Sequence, residues 1–213
     1  MKRFLDAGLY LVTSQALSAG RSTEEIVKAA ISGGVRLIQL REKAMPARDF
    51  LSLAKRVRAI TARSDALLII NDRLDIALAS GADGVHLGQD DLSITDARRI
   101  APGLIVGAST HSVREARRAQ KEGASYINIG PLFPTQTKAW GREFLGIRGL
   151  RRILPSVRIP FTVMGGIKPE HIPALAKAGV RTIAVVTAVT LAPAPAEAAR
   201  ALREQILSLR RRA

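Results

Sequence analysis

Basic side chains follow apolar runs at two places in the sequence, Arg41 and Lys43 at the first and Lys138 at the second. Guanidinium and ammonium groups form strong charge-assisted hydrogen bonds to phosphate oxygens. One such cation is often only a solvated residue at a strand end, but three in succession after predicted strands favour a clamp for a polyanion such as a diphosphate. The chemistry that such a clamp supports is stabilisation of negative charge on a departing group.

Two carboxylates, Asp72 and Asp91, stand in similar positions after apolar runs. Two oxygen ligands from separate rigid elements are typical of Mg²⁺, which takes its other ligands from water and substrate phosphate. The alternative roles are capping and an ion pair with Arg73. Spacing alone cannot decide between Asp90 and Asp91 as the second ligand.

A second anion site is indicated by "MGG" at 164–166 and "VVT" at 185–187. Gly165 and Gly166 allow backbone N–H groups to approach a phosphate closely, and Thr135 and Thr137 could add hydroxyl donors. A Gly-Gly pair is weak evidence by itself, because it is more often simple turn geometry.

No general base stands out among the three histidines. His86 lies inside an apolar run and is expected to be a hydrogen-bonded core residue. His171 begins a helical segment and is expected at the surface, whereas His111 could reach the same region as the cations and its role stays open. The chain has no cysteine, so a thiol nucleophile is excluded. Cations and metal ligands without a base suit the departure of a phosphate leaving group.

The elements that must position these groups repeat along the chain as an apolar run, a polar turn and a helical pattern. The runs are "LYLVT", "VRLIQL", "ALLIIN", "GVHLG", "LIVGAS", "YINIG", "FTVMGG" and "TIAVVT", and amphipathic segments include 23–33, 46–63, 112–123 and 169–179. We predict that the N-terminal stretch "MKRFLDAGLYLVTSQ" forms the first strand. Buried runs that alternate with helices predict parallel strands, and eight of them predict an α/β protein with one (β/α)8 barrel domain over residues 1–213. A doubly wound open sheet is the alternative, because periodicity cannot show whether the last strand pairs with the first.

The barrel prediction explains where the polar groups lie, since chemistry in such folds sits just after the strands, at the C-terminal mouth. Composition is compatible with it: 47% of the 213 residues are hydrophobic, enough for a substantial core. No apolar run is long enough for a signal peptide or a membrane span, so the cytoplasm is the expected location. The net charge of +15 invites a nucleic-acid partner. However, the basic groups lie in helical patterns without interleaved aromatics, which argues against that partner.

Five segments in this order resemble the thiamin phosphate synthase family: "QLREK" (39–43), "INDRLDIALASGADGVHLGQDDL" (70–92), "GASTHS" (107–112), "GPLFPTQTK" (130–138) and "MGGI" (164–167). Each segment is generic alone, but the ordered set is specific and covers nearly the whole chain. The resemblance implies a barrel transferase that joins a hydroxymethylpyrimidine diphosphate to a thiazole phosphate, with Mg²⁺, and releases pyrophosphate.

The resemblance also implies roles for individual residues, with Asp72 and Asp91 as ligands of Mg²⁺. The residues expected at the pyrimidine diphosphate are Gln39, Leu40, Arg41, Glu42, Lys43, Asn71, Ser109 and Lys138, of which Arg41, Lys43, Ser109 and Lys138 are expected to be catalytic. Those expected at the thiazole phosphate are Thr135, Gln136, Thr137, Gly166, Val186 and Thr187.

Two alternatives come from different interpretations of the same residues. A thiazole tautomerase has the same fold and would use a histidine resembling His111 for proton transfer, but it typically lacks the "GQDD" and "TxTK" groups that this chain carries. A basic binding protein without catalytic activity is the other alternative. Trp140 is either a lid over the site or a packed loop anchor.

Overall fold

The protein contains eight parallel strands closed into a barrel, in a computed structural model that describes residues 1–135, 137, 141 and 143–210. The strands are β1 Leu9–Val12, β2 Leu37–Leu40, β3 Leu67–Asn71, β4 Gly84–Leu87, β5 Ile105–Thr110, β6 Tyr126–Ile129, β7 Phe161–Val163 and β8 Ile183–Val185. Each strand pairs with the next, and β1 pairs with β8, with Leu9 opposite Ile183 and Leu11 opposite Val185. This last pairing confirms the (β/α)8 barrel and excludes the open sheet.

Helices connect the strands around the outside of the barrel. Their bounds are α1 Lys2–Asp6, α2 Thr23–Ser32, α3 Ala47–Arg63, α4 Leu74–Ser80, α5 Ile94–Ile100, α6 Val113–Lys121, α7 Gly146–Ile153, α8 Ile172–Lys177, α9 Thr187–Thr190 and α10 Pro195–Arg210. Ser22, Ser93 and Ser112 begin α2, α5 and α6, and each side chain accepts a hydrogen bond from the backbone N–H three residues later. These caps satisfy N–H groups that the first turn of a helix leaves without partners. None of the helices among the described residues is long and apolar enough to cross a membrane.

The first residues of the chain form α1, so the prediction of a strand over the whole N-terminal stretch was wrong for residues 2–6. Gly8 has a φ of +73°, which turns the chain between α1 and β1. The ring of Phe4 is buried and lies 4.3 Å from the ring of Tyr126, centroid to centroid. Burial of this ring inside the barrel favours the helix, since an extended chain would carry Phe4 away from the interior.

Side chains alternate along β1 between the two sides of the barrel wall. Leu9 and Leu11 pack with the apolar faces of the helices, in the larger core cluster. Tyr10 and Val12 point the other way, into a second cluster that fills the barrel interior. The same period of two places one set of each strand's side chains inside the barrel, where polar members can reach the mouth.

Candidate active site

A cavity of about 770 Å³ opens at the C-terminal ends of the strands. Most side chains predicted from the sequence lie in its wall: Gln39, Arg41, Lys43, Asn71, Asp72, Asp91, Ser109, Thr135, Thr137, Gly166, Val186 and Thr187. They come from loops or strand ends of several different strands, as the barrel topology requires. The structure therefore brings residues that are up to 148 positions apart, Gln39 and Thr187, into one site.

Asp72 and Asp91 approach each other on one side of the cavity. Asp72 has a φ of +62°, in the left-handed region that is rare for residues other than glycine, and its backbone N–H donates to the carbonyl of His86 at 2.8 Å. The Oδ2 atom of Asp91 accepts a hydrogen bond of 2.6 Å from the backbone N–H of Gly88. An uncommon backbone conformation at a polar strand end is often associated with function. A backbone hydrogen bond thus holds the Asp91 carboxylate, and another holds the main chain that carries Asp72.

The charge around this carboxylate pair is unbalanced toward the negative side. Burial, together with the neighbouring Asp72 carboxyl, raises the pKa of Asp91 above its usual value. The ammonium of Lys43 lies 3.2 Å from Oδ2 of Asp72 and opposes this rise, but the Lys43 side chain is 56% exposed. A site that raises the pKa of a carboxyl group is one that a cation would stabilise. The described residues contain no cluster of three or more acidic, histidine or cysteine ligands.

A continuous chain of buried hydrogen bonds crosses the barrel interior and joins two sides of the cavity. Gln39 Nε2 donates to the hydroxyl of Tyr10 at 2.8 Å, and the hydroxyls of Tyr10 and Tyr126 are 2.9 Å apart. His86 Nδ1 lies 2.9 Å from the Tyr126 hydroxyl, and His86 Nε2 lies 3.0 Å from Ser109 Oγ. The predicted role of His86 as a hydrogen-bonded core histidine is confirmed.

One arrangement of donors lets every proton along this chain of bonds be used. In this arrangement Gln39 donates to Tyr10, the Tyr10 hydroxyl donates to Tyr126, and Tyr126 donates to Nδ1 of His86. Burial lowers the pKa of His86 to about 4, so its ring is neutral near pH 7, and in this arrangement its one N–H is on Nε2. That N–H donates to Ser109 Oγ. The hydroxyl proton of Ser109 is therefore directed away from His86 and is available to a substrate.

The loops after β6 and β7 are joined to each other through their backbones. Leu132 N–H donates to the carbonyl of Met164 at 2.9 Å, and Phe133 N–H donates to that of Gly165 at 3.0 Å. Gly166 has a φ of +57°, and a Cβ placed there would lie 2.1 Å from the carbonyl oxygen of Pro134. Only glycine fits between these loops at this position.

The hydroxyl groups expected at the second anion site lie on the same loop pair. Thr135 Oγ1 donates to Thr137 Oγ1 at 3.2 Å and accepts from the backbone N–H of Thr137 at 3.2 Å. Both threonines are half-buried, and the cavity wall continues to Val186 and Thr187, where α9 begins directly after β8. The predictions for Gln136, Lys138 and Trp140 lie outside the described residues.

Two predicted residues have side chains outside the cavity wall. Leu40 is fully buried between the barrel and the helices, because it alternates with the inward-facing Gln39. The Glu42 carboxylate accepts hydrogen bonds from the hydroxyls of Thr13 and Thr23 at 3.0 and 2.9 Å. The structure therefore gives the Glu42 side chain a part in fixing the loops after β1 and β2.

The other two histidines occupy different surroundings. His111 lines the cavity, and its Nδ1 forms a hydrogen bond with the carbonyl of Gly130. The backbone N–H of His111 donates to Glu115 at 2.7 Å. His171 is half-buried rather than fully at the surface, because its ring stacks on that of Phe133 with centroids 3.9 Å apart.

Sequence reasoning missed Asn128, a buried cavity residue on β6. It also missed Gln89, whose amide donates to the carbonyl of Ser109 at 2.5 Å. The signal for Asn128 was its position in "YINIG", where an amide interrupts an apolar strand at the same parity as Tyr126. No comparable signal marks Gln89, which lies in a run of polar residues.

Comparison with known proteins links this site to one family. Residues 9–189 match the family described as Thiamine monophosphate synthase. A thiamine-phosphate synthase from Moorella thermoacetica is 42% identical over 203 residues, which cover 95% of this chain and 97% of that protein. Another, from Pyrococcus furiosus, is 44% identical over 181 residues, which cover 85% and 86% of the two chains.

A solved structure gives the same relation in three dimensions. The thiamine phosphate pyrophosphorylase from Pyrococcus furiosus superposes with a TM-score of 0.89 and 39% identity, over 98% of this chain and 99% of that one. A 3-hexulose-6-phosphate synthase, at 24% identity and a TM-score of 0.69, shares the fold alone. The match in sequence and in structure extends over nearly the whole barrel, so the chain belongs to the thiamine monophosphate synthase family of transferases.

Proposed function

We propose that this chain forms thiamin phosphate by joining 4-amino-2-methyl-5-hydroxymethylpyrimidine diphosphate to a thiazole phosphate, or to its carboxylated form, whose carboxylate then leaves as CO₂ while the ring carbon takes up a proton from water. Family membership supports the reaction. The single observation that carries it is a cavity with two chemically different sets of hydrogen-bond donors in its wall, the cations Arg41 and Lys43 on one side and Thr135, Thr137 and Gly166 on another. A reaction that joins two phosphorylated molecules needs both sets in one cavity.

The pyrimidine diphosphate is assigned to the side of the cavity formed by β2 to β5. Arg41 and Lys43 would bind the diphosphate, and Lys138 is assigned to it on the family resemblance. Gln39, Asn71 and Ser109 would hold the remainder of this substrate. The directed chain through His86 supports a donor role for Ser109.

The thiazole phosphate is assigned to the loops after β6, β7 and β8. The hydroxyls of Thr135 and Thr137 and the backbone at Gly166 are the donors available there, and Val186 and Thr187 close the same side of the cavity. Gln136 is assigned to this group on the resemblance.

The bond changes need no general base. The C–O bond between the pyrimidine methylene and the diphosphate breaks first, and its electron pair leaves with the diphosphate. The aminopyrimidine ring supports the resulting methylene cation, and the lone pair of the thiazole nitrogen forms the new C–N bond. That nitrogen carries no proton to remove. Arg41 and Lys43 stabilise the charge that grows on the diphosphate.

Asp72 and Asp91 are the residues that would hold Mg²⁺. The two carboxylates lie together, and burial with mutual repulsion raises the pKa of Asp91, so a cation is the chemical complement of this pair. Mg²⁺ bound by few protein carboxylates keeps positions for water and phosphate oxygens. When bound, the ion would supply Lewis-acid stabilisation of the diphosphate charge.

The test is to incubate the protein with both substrates and MgCl₂ and to measure thiamin phosphate by chromatography and pyrophosphate by a coupled assay. We expect the two products in equal amounts, no product when either substrate is omitted, and no product after addition of EDTA. Isomerisation of a carboxythiazole phosphate without coupling would replace the proposal with the tautomerase activity.

A further inference from the structure

Asn128 carries two buried polar atoms that have no hydrogen-bond partner among the described residues. The side chain is 2% exposed, and neither Oδ1 nor Nδ2 is satisfied within that part of the chain. A buried donor or acceptor without a partner costs about 1–3 kcal/mol, and native proteins retain few of them. A residue of this kind indicates a ligand or an ordered water that supplies the missing bonds.

The position of Asn128 places its two unpartnered amide atoms at the cavity wall. Asn128 lines the cavity and lies on β6 between Ser109 on β5 and Thr162 on β7, its partners in the strand register. Ser109 Oγ lies 3.0 Å from Nε2 of His86 and lines the same cavity. Thr162 Oγ1 is also buried without a partner among the described residues. Asn128 therefore belongs to the buried part of the cavity wall, whereas Lys43 belongs to its exposed part.

The chemistry of the amide restricts what it would bind. Oδ1 accepts and Nδ2 donates a hydrogen bond at a fixed separation. The complementary group on a ligand is therefore an N–H donor beside a hydrogen-bond acceptor. An amino group next to a ring nitrogen has this arrangement, and Asn pairs with the amino edge of adenine in the same way. The aminopyrimidine has such an edge. The thiazole has no amino group, and its ring nitrogen must stay available for attack.

We propose that Asn128 binds the amino edge of the pyrimidine, with Oδ1 accepting from the amino group and Nδ2 donating to the adjacent ring nitrogen. This inference rests on the proposed function. An acceptor on the amino N–H also favours electron donation into the ring, which helps the methylene cation form. Asn128 would therefore act as a binding and specificity residue for the pyrimidine.

The experiment separates binding of the amino edge from the reaction itself. Two unreactive diphosphonate analogues are compared by titration calorimetry, one carrying the 4-amino group and one carrying a 4-methyl group, each with a methylene in place of the ester oxygen. We expect wild type to prefer the amino analogue by about 5- to 150-fold, the range for one bidentate amide pair. Asn128→Leu should bind both analogues with affinities within about twofold of each other. This is the scatter expected when the side chain at position 128 does not interact with the 4-substituent.

Two controls distinguish recognition by Asn128 from a general loss of polarity or packing in the barrel interior. Thr162→Val removes the neighbouring unpartnered hydroxyl and should keep the wild-type preference. Asn128→Leu should also keep the wild-type KM for the thiazole phosphate and, without ligand, should lose no stability in urea, because it removes two unsatisfied atoms. Should Asn128→Leu prove insoluble, Asn128→Ala is measured in the same way.

Failure of the proposed function and failure of the assignment to Asn128 give different results in this experiment. If wild type binds neither analogue, the proposed function fails. If wild type binds both but Asn128→Leu and Asn128→Ala keep the full preference for the amino analogue, the proposed function stands and the assignment to Asn128 is overturned. A ligand-free destabilisation of Asn128→Leu with unchanged preference would give Asn128 a structural role instead.

Discussion

The neutral, buried His86 is expected to lower the free energy of unfolding of the barrel at acid pH. Burial lowers the pKa of its ring to about 4, whereas in an unfolded chain the pKa is near the usual 6.5. Between these values the unfolded chain binds a proton that the folded chain does not, so the free energy of unfolding falls as the pH falls. The contribution is complete above pH 6.5 and is lost once the pH passes below about 4.

The size of the effect follows from the same two values. A difference of 1 in pKa corresponds to about 1.36 kcal/mol, so the step from 6.5 to about 4 corresponds to about 3 kcal/mol. The raised pKa of Asp91 acts in the opposite direction, because the folded chain then takes up a proton before the unfolded one does. A variant at His86 that retains Asp91 has the same contribution from Asp91 as the wild type. The difference between the two proteins therefore reports on His86 alone.

The variant is His86→Gln, which keeps a polar side chain in place of the imidazole and cannot titrate. Urea unfolding is followed by circular dichroism with EDTA at intervals from pH 7.5 to 4. We expect the wild-type free energy of unfolding to decline over this range by about 3 kcal/mol more than that of His86→Gln. Tyr10→Phe removes a hydrogen bond from the same network without removing His86, and it should decline like wild type. Parallel curves for wild type and His86→Gln would refute the reasoning.

Three further predictions concern the site. Asp91→Asn should weaken the dependence of turnover on Mg²⁺ and leave the fold intact, whereas Asp90→Asn should titrate like wild type; equal titrations for both variants would remove Asp91 from the metal site. Lys138→Ala should lower kcat on the order of 10²-fold, by analogy with the loss of one positioned electrostatic donor, whereas Thr135→Val should mainly raise the KM of the thiazole phosphate; identical defects toward both substrates would contradict this division. His111→Asn should keep coupling within roughly tenfold of wild type, below the usual general-base range, and a loss of about a thousandfold with unchanged folding would mean that a proton transfer limits the reaction.

The sequence predicted the strands well because each one is buried on both faces and forms a continuous apolar run. Closure of the barrel could not be predicted from these runs, since it depends on the pairing of Leu9 with Ile183, which no local pattern encodes. The helix over residues 2–6 was missed for a similar reason. Its five residues carry no periodic pattern, and the burial of Phe4 against Tyr126 decides its place.

The sequence predicted those site residues that directly follow a strand, because the fold places every strand end at the mouth of the barrel. Arg41, Asp72 and Asp91 follow apolar runs, and the fold rule alone placed them at the mouth. The hydrogen bond between Tyr10 and Tyr126 was not predictable, because it joins residues 116 positions apart and requires knowing which side chains face inward. Asn128 was missed although an amide interrupts the apolar run of β6, because only the structure shows that its polar atoms have no partners among the described residues.

The backbone connection between the loops after β6 and β7 has a consequence for exchanging parts between related barrels. A Cβ at Gly165 would lie 2.4 Å from Cβ of Pro131, and one at Gly166 would meet the carbonyl of Pro134. The two loops therefore form one structural unit, because the shape of each loop limits which residues the other can carry. A chimera that imports the β6 loop of a relative without its β7 turn would lose the fit between them, whereas transfer of both together would carry the threonine hydroxyls with their support.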